Sequence, residues 1–144
     1  MPPPIWFAPW KPGPGGRQRP DAETGPILVS ITEFTARRPW TAVGVASAGM
    51  TLRRSWGELD GAVGVWLWAS SDLRRPRSGA VSVWRDMDAL HGFVARPDHL
   101  KIVRAYRNRG TLRSTAWEAE RFDRRATLTA AQALLVGEAD WPEQ

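Results

Sequence analysis

The order of strand-like and helix-like segments is the feature of this sequence that most constrains its fold. Short apolar runs rich in β-branched residues alternate with segments whose apolar residues recur every three or four positions, a difference that separates strands from amphipathic helices. In chain order the segments are strand, helix, strand, strand, helix, strand and a last helix. This order predicts an α+β domain of the ferredoxin-like βαββαβ type, with an antiparallel sheet, helices on one face and an extra C-terminal helix. The predicted strands are 27–34, 62–70, 80–84 and 111–122, and the predicted helices are 38–56, 86–95, 96–110 and 128–139.

Proline, aspartate and glycine mark the ends of the predicted helices. Pro39 and Pro97 suit the first turn of a helix, and Asp86 can cap the helix that follows it. Gly110 can end the helix that Pro97 starts. One side of the first helix carries residues at helical spacing, namely Trp40, Val43, Ser47 and Met50.

The chain divides into an N-terminal arm (1–26), a ferredoxin-like domain (27–122) and a C-terminal helix with a tail (123–144). The arm holds eight of the twelve prolines, so we do not expect it to pack as helix or sheet. Its aromatic residues allow two interpretations: a disordered arm with incidental aromatics, or an arm anchored over the domain or over a partner subunit. These residues are Trp6, Phe7 and Trp10.

Composition excludes several classes of function. The sequence has no cysteine and two histidines, so disulfides, thiol nucleophiles and a dedicated structural metal site are not expected. The net charge is +5, but the basic residues are interleaved with 15 acids and form no stripe with aromatics, which argues against nucleic acid as a partner. Apolar runs are too short for a membrane helix, and no signal peptide is recognisable. We expect a soluble, cytoplasmic protein without a membrane partner.

The predicted sheet is apolar on both sides. Trp66 and Trp68 alternate with Val65 and Leu67 along 62–70. Helices on one face would leave the other face bare in a monomer, and a bare apolar sheet face predicts burial by another surface. We therefore expect a homodimer packed sheet against sheet.

Two segments carry a family resemblance. "SGAVSVWRDMDALHGFVARPDHLKIVRAYR" followed by "LRSTAWEAE" resembles the dimeric α/β barrel superfamily, in particular its antibiotic biosynthesis monooxygenase-like branch. The resemblance covers about residues 26–122. It implies two ferredoxin-like units that form a barrel, each with a pocket between sheet and helices. The activities that it implies include cofactor-free oxygenation of polycyclic phenols, haem chemistry, lactone isomerisation and polyketide cyclisation, and fold alone does not choose among them.

The pattern of the haem-degrading members is not matched. Aligned on Trp84, their histidine ligand falls near Val103 and their tryptophan near Phe93, and strand 27–34 has no asparagine. We therefore do not expect haem degradation, although His99 as another kind of axial ligand stays open.

Two histidines and one tyrosine are the candidate acid/base residues. His99 and Tyr106 fall on the apolar face of their predicted helix, which suits an acid/base pair in a pocket. A buried neutral His99 bonded to a backbone carbonyl, with Tyr106 filling the core, is the structural alternative. His91 lies at the edge of the apolar stripe and is either a pocket residue or structural.

The last strand and the tryptophans complete the predicted site. Arg113 and Trp117 share a face of strand 111–122, where Arg113 could bind a phenolate, enolate or carboxylate oxygen or simply be solvated. The predicted substrate-binding residues are Trp84, Trp117, His91, Phe93 and Trp66, beside the predicted catalytic residues His99, Tyr106 and Arg113.

No nucleotide-binding or nucleophile motif occurs in the sequence. We therefore expect an enzyme of secondary metabolism that needs no cofactor and acts on a hydrophobic, aromatic or polycyclic substrate of polyketide type. Oxygenation by acid/base activation is the expected reaction. A cyclase or isomerase, a non-catalytic binding module and a haem-binding module are the alternatives.

Overall fold

The computed structural model describes residues 5–14, 26–70, 72 and 74–141. Six strands and four helices of eight residues or more occur in this part of the chain. The strands are β1 (Ile5–Phe7), β2 (Lys11–Pro12), β3 (Ile27–Ala36), β4 (Ala62–Ser70), β5 (Arg77–Trp84) and β6 (Gly110–Ala119). The helices are α1 (Pro39–Arg54), α2 (Met87–Val94), α3 (Pro97–Tyr106) and α4 (Arg124–Leu135), and a short 3-10 turn covers Trp56–Glu58.

The strands form one antiparallel sheet in the order β1-β4-β5-β3-β6, with β2 also paired to β4. The central strand β3 pairs with β5 on one side and with β6 on the other. Strands β3, β4, β5 and β6 with the intervening helices give the predicted βαββαβ order. The α+β, ferredoxin-like prediction is therefore confirmed.

Several predicted boundaries need correction. Strand β5 begins at Arg77 rather than at residue 80, because its early residues continue the ladder to β3. Gly110 does not cap a helix: α3 ends at Tyr106, and Gly110 pairs with Ala36 as the first residue of β6. Helix α4 starts at residue 124 rather than 128, because the Asp123 carboxylate accepts a hydrogen bond from the backbone N–H of Ala126 at 2.9 Å.

The N-terminal arm forms sheet structure, contrary to the expectation. Ile5–Phe7 pair with Trp68–Ser70, and Lys11–Pro12 pair with Gly64–Val65. Strand β4 would otherwise be a free edge with unpaired backbone groups, and the arm satisfies them. Of the two interpretations of the arm, its described part follows the one in which it lies over the domain.

The chain itself covers both faces of the sheet. Helices α1, α2 and α3 lie over one face, which we call the helix face. The arm and α4 cover the other, the arm face, where Trp10, Phe122, Leu134 and Leu135 join the core formed by Ile31, Val83, Trp66 and Trp68. The expected bare face is therefore wrong, because segments outside the βαββαβ unit bury it.

The stripe predicted on α1 points away from the core. Trp40 is 66% exposed and Val43 is also exposed, while Thr41 is the buried residue of this helix. The small residues of α1 face the domain instead, and Gly44 lies where a Cβ would approach the Tyr106 hydroxyl to 2.6 Å. Within the described residues, no helix is long and apolar enough to cross a membrane.

Candidate functional site

The sheet separates the residues that the sequence grouped into one site. His99, Tyr106 and Phe93 lie on the helix face with Trp84. Arg113 bonds Glu33 on the arm face. Trp66 and Trp117 also belong to the core of the arm face. A single pocket lined by His99, Tyr106 and Arg113 is therefore ruled out by the strand alternation, which puts Arg113 on the far side of the sheet.

Four aromatic rings form a continuous cluster on the helix face. The Trp56 ring lies 5.2 Å from Trp84 and 5.1 Å from Phe93, measured between ring centroids. Phe93 lies 5.2 Å from Trp84 and 4.8 Å from the imidazole of His99. These tilted and edge-to-face contacts are the geometries that aromatic rings prefer. The cluster, which we call the aromatic wall, runs from the buried sheet to the half-buried His99.

The two indole N–H groups of the aromatic wall differ. Trp84 donates from Nε1 to the hydroxyl of Ser82 at 2.9 Å. The Nε1 atom of Trp56 is buried and has no hydrogen-bond partner among the described residues. Leaving a buried donor unpaired costs about 1–3 kcal/mol, so such a group is expected to be satisfied by a bound water or ligand. A ligand oxygen placed against Trp56 would relieve this cost.

His99 is held in one tautomer. Its Nδ1 lies 3.1 Å from the carbonyl oxygen of Val94, and a carbonyl can only accept a hydrogen bond. In the neutral ring Nδ1 therefore carries the proton, and Nε2 carries the lone pair that can take a proton from a ligand. A hydrogen bond to a backbone carbonyl is what the structural interpretation of His99 predicted. The same bond leaves Nε2 as the basic nitrogen of the ring.

Asp98 fixes the first turn of α3 beside His99. Its carboxylate accepts from the His99 backbone N–H at 2.9 Å and from the Arg96 side chain at 3.2 Å. The hydrogen bond from Arg96 holds the pKa of Asp98 below its ordinary value, although burial acts in the opposite direction. Asp98 is therefore ionised at neutral pH.

We expect this carboxylate to contribute weakly to stability. Because the folded-state pKa is lowered, the contribution is present above the unfolded-state pKa of about 4 and is lost as the pH falls through the lower folded value. Solvent screens the half-exposed pair, so Asp98→Asn should cost less than about 0.5 kcal/mol at neutral pH. Urea unfolding at neutral pH and near pH 2 measures the difference, and an equal cost at both would contradict this origin.

Tyr106 packs away from His99. The two residues are seven positions apart on α3, which separates them by about 10 Å along the helix axis. The Tyr106 ring lies 6.4 Å from Phe34 and contacts α1 at Gly44. Tyr106 therefore joins α3 to α1 and β3, and direct acid/base pairing with His99 is not supported by this geometry. His91 is exposed and outside the aromatic wall.

The helical layer over the aromatic wall contributes no fully buried residue, although Ala89, Leu90 and Phe93 pack against the core. Neither α2 nor α3 contains a buried residue, whereas α4 on the arm face has four. Met87 and Val94 of α2 are more than 40% exposed. A layer with so few fully buried residues is expected to open locally at lower cost than the rest of the domain.

Three residues that matter here were not predicted. Trp56 follows the end of α1 in "SWGELDG", where the sequence indicates only a helix break. Glu33 and Arg77 form an ion pair on the arm face at 2.9 Å. A carboxylate inside the apolar run "ILVSITEF" was the available signal, because a buried charge needs a partner.

Among the described residues, no group of three or more His, Cys, Asp or Glu could hold a metal ion.

Comparison with known proteins supports the fold. No family model and no curated protein matches the chain. Among solved structures, it is similar to a variant of SnoaB, a cofactor-independent oxygenase from Streptomyces nogalater, with 21% identity and a TM-score of 0.55 over 67% of this chain and 95% of the other. A proposed antibiotic biosynthesis monooxygenase from Deinococcus radiodurans gives 21% identity and a TM-score of 0.56 over the same shares.

A third similar structure is a dimeric protein of unknown function from Bacteroides fragilis. It is 9% identical, with a TM-score of 0.53 over 65% of this chain and 95% of the other, and is described as having a ferredoxin-like fold. At these identities the likeness concerns the fold. The resemblance seen in the sequence is confirmed at that level: this chain has the ferredoxin-like fold shared by antibiotic biosynthesis monooxygenase-like proteins.

Proposed function

We propose that this protein is a cofactor-independent oxygenase that acts on a hydrophobic polycyclic phenol, of polyketide type, between the sheet and helices α2 and α3. The observation that carries the proposal is the aromatic wall, which combines an unpaired buried donor at Trp56 with a half-buried imidazole at His99. The fold neighbours support it, since one of them is a cofactor-independent oxygenase.

The aromatic wall has the chemistry that such a substrate needs. A planar ring stacks on Phe93, and the indole N–H of Trp56 donates to a substrate oxygen. Nε2 of His99 takes the phenol proton, which leaves an electron-rich phenolate. A ring carbon that bears hydrogen then bonds to O2. That carbon then loses its hydrogen as a proton, and the O–O bond breaks. The outer oxygen takes this proton and the one returned from His99 and leaves as water. One phenol and one O2 thus give one quinone and one water.

Replacing His99 by Gln should lower turnover by roughly 100-fold or more, because an amide cannot take the proton. The matched control is His91→Gln, which changes the other histidine at an exposed position of α2 and should leave turnover unchanged. An oxygen electrode and the absorbance of the quinone follow the reaction with dihydroxynaphthalene as the test phenol, against its oxidation without protein. Equal rates for the His99 variant and the wild type would remove His99 from the mechanism.

A non-catalytic binding module is the second candidate function. The bond from His99 to the Val94 carbonyl favours it, because that bond gives Nδ1 of the ring a partner without any ligand. This candidate predicts saturable quenching of tryptophan fluorescence by the phenol with no protein-dependent O2 uptake. A cyclase or isomerase would instead consume its substrate at the same rate with and without O2.

We also propose a cytoplasmic protein that forms a homodimer. A cysteine-free chain fits a reducing compartment, and one fold neighbour is dimeric. Because the arm and α4 already cover the arm face, a second copy of this chain would have to use another surface. The exposed side of α1 with Trp40 and Val43 is one such surface.

A further inference from the structure

A concavity lies on the arm face, separated by the sheet from the aromatic wall. It has a volume of about 350 Å³ and opens at the C-terminal end of α4. Its polar lining includes Arg77, Arg113 and Asp140, and its apolar lining includes Leu134, Val136 and Trp141. The volume is at the lower end of the range for small-molecule sites, so a ligand here would be small.

Two guanidinium groups that line this cleft share one buried carboxylate. Glu33, whose side chain is 9% exposed, accepts from Arg77 at 2.9 Å through Oε2 and from Arg113 at 3.1 Å through Oε1. Arg77 uses the same nitrogen to donate to the Leu135 carbonyl at 2.9 Å. Two positive charges therefore face a single carboxylate, so these three groups carry one positive charge in excess.

Arg113 keeps most of its donors available. It uses Nη2 for Glu33, while its side chain is 51% exposed and lines the cleft. Its guanidinium carbon lies 3.7 Å from the centroid of the Trp141 ring, and Trp141 is itself fixed by a bond from Nε1 to the Leu134 carbonyl at 3.0 Å. The stacked indole holds the guanidinium in one plane without using its N–H groups.

We propose that this cleft binds a small organic monocarboxylate, with the carboxylate on the Arg113 guanidinium and the apolar part against Leu134 and Val136. The planar fork of Arg matches a carboxylate through two hydrogen bonds. Asp140 also lines the cleft. Its carboxylate and that of Glu33 balance the two arginines, so the formal charge of the four side chains is zero. The cleft should therefore bind a singly charged ligand more readily than a phosphate dianion. This site is independent of the proposed oxygenase chemistry.

Titration calorimetry of the full chain with benzoate tests the proposal. We expect saturable binding of benzoate and none of benzamide, which has the same shape without the charge. Arg113→Gln should weaken benzoate binding at least tenfold, because it removes a charged hydrogen-bond donor. The matched control is Arg85→Gln: Arg85 is also half-exposed and lies near Asp60 and Asp86, but outside the cleft, and the variant should bind as the wild type does.

Three results would overturn the proposal: no benzoate binding to the wild type at millimolar concentration, equal binding of benzamide, or unchanged binding to the Arg113 variant. Circular dichroism verifies that the variants are folded, and Glu33 keeps Arg77 as its partner in each. If Arg113→Gln fails to fold, Arg113→Lys is the variant to measure. Lysine keeps the positive charge but lacks the planar guanidinium that can donate two parallel hydrogen bonds. A tenfold loss with Lys supports the site, and full retention contradicts it.

Discussion

Replacing Trp84 by Ala is expected to lower the free energy of unfolding by about 3–5 kcal/mol, the usual range for a buried Trp replaced by Ala. Trp84 is 0% exposed and contacts both Trp56 and Phe93 in the aromatic wall. The variant would leave a cavity between sheet and helices and would also deprive the buried Ser82 hydroxyl of its donor. Urea unfolding followed by circular dichroism measures the loss.

Trp40→Ala is the matched control, because it removes the same side chain from a surface position. Trp40 is 66% exposed, and the centroid of its ring lies 5.2 Å from the guanidinium carbon of Arg38. Its replacement should change stability by no more than about 0.5 kcal/mol in a monomer. Similar losses for the two variants would mean that Trp84 is not the core residue on the helix face. A large loss for Trp40 alone would instead locate a subunit interface on α1.

The order of the elements was predictable because each leaves a local pattern. Alternation in "AVGVWLWAS" marks β4 with the bounds that the structure gives, and Asp86 caps α2 through a 2.9 Å bond from the Ala89 backbone N–H, as predicted. Both depend on residues close together in the chain. The apolar spacing on α1 is also local, but it was misinterpreted, since small residues rather than Trp40 and Val43 face the sheet.

The candidate site was less predictable, because it depends on which of the alternating side chains of each strand point toward the helices. Alternation correctly puts Arg113 and Trp117 on one face, but nothing local says whether that is the helix face. The answer depends on α4 and the arm, which pack on the opposite face from α3 and His99. Trp56 was missed for the same reason: its surroundings come from α2 and β5, far along the chain.

Replacing Trp10 by Ala is expected to release the arm from the sheet. Its ring lies 4.3 Å from Trp66 and 5.2 Å from Phe122, and a Cβ at Gly64 would overlap it. Loss of this half-buried ring should cost about 2–4 kcal/mol from lost burial and ring contacts together. The arm is also held by backbone bonds such as that from Ala8 to the Leu67 carbonyl at 2.8 Å, and by Ile5 and Phe7, which pack against the core.

Release of the arm should also change how the protein associates. The arm face would then expose Trp66 and Val63 beside the unpaired edge of β4, which is the surface that the bare-face prediction assigned to a second copy. Sedimentation velocity over a range of concentrations should therefore show more self-association for Trp10→Ala than for the wild type. Trp6→Ala is the matched control, because Trp6 lies in the same arm and is 66% exposed. If both variants have wild-type stability and association, Trp10 does not anchor the arm. If Trp10→Ala is destabilised without any gain in association, α4 alone is enough to keep the arm face closed to a second copy.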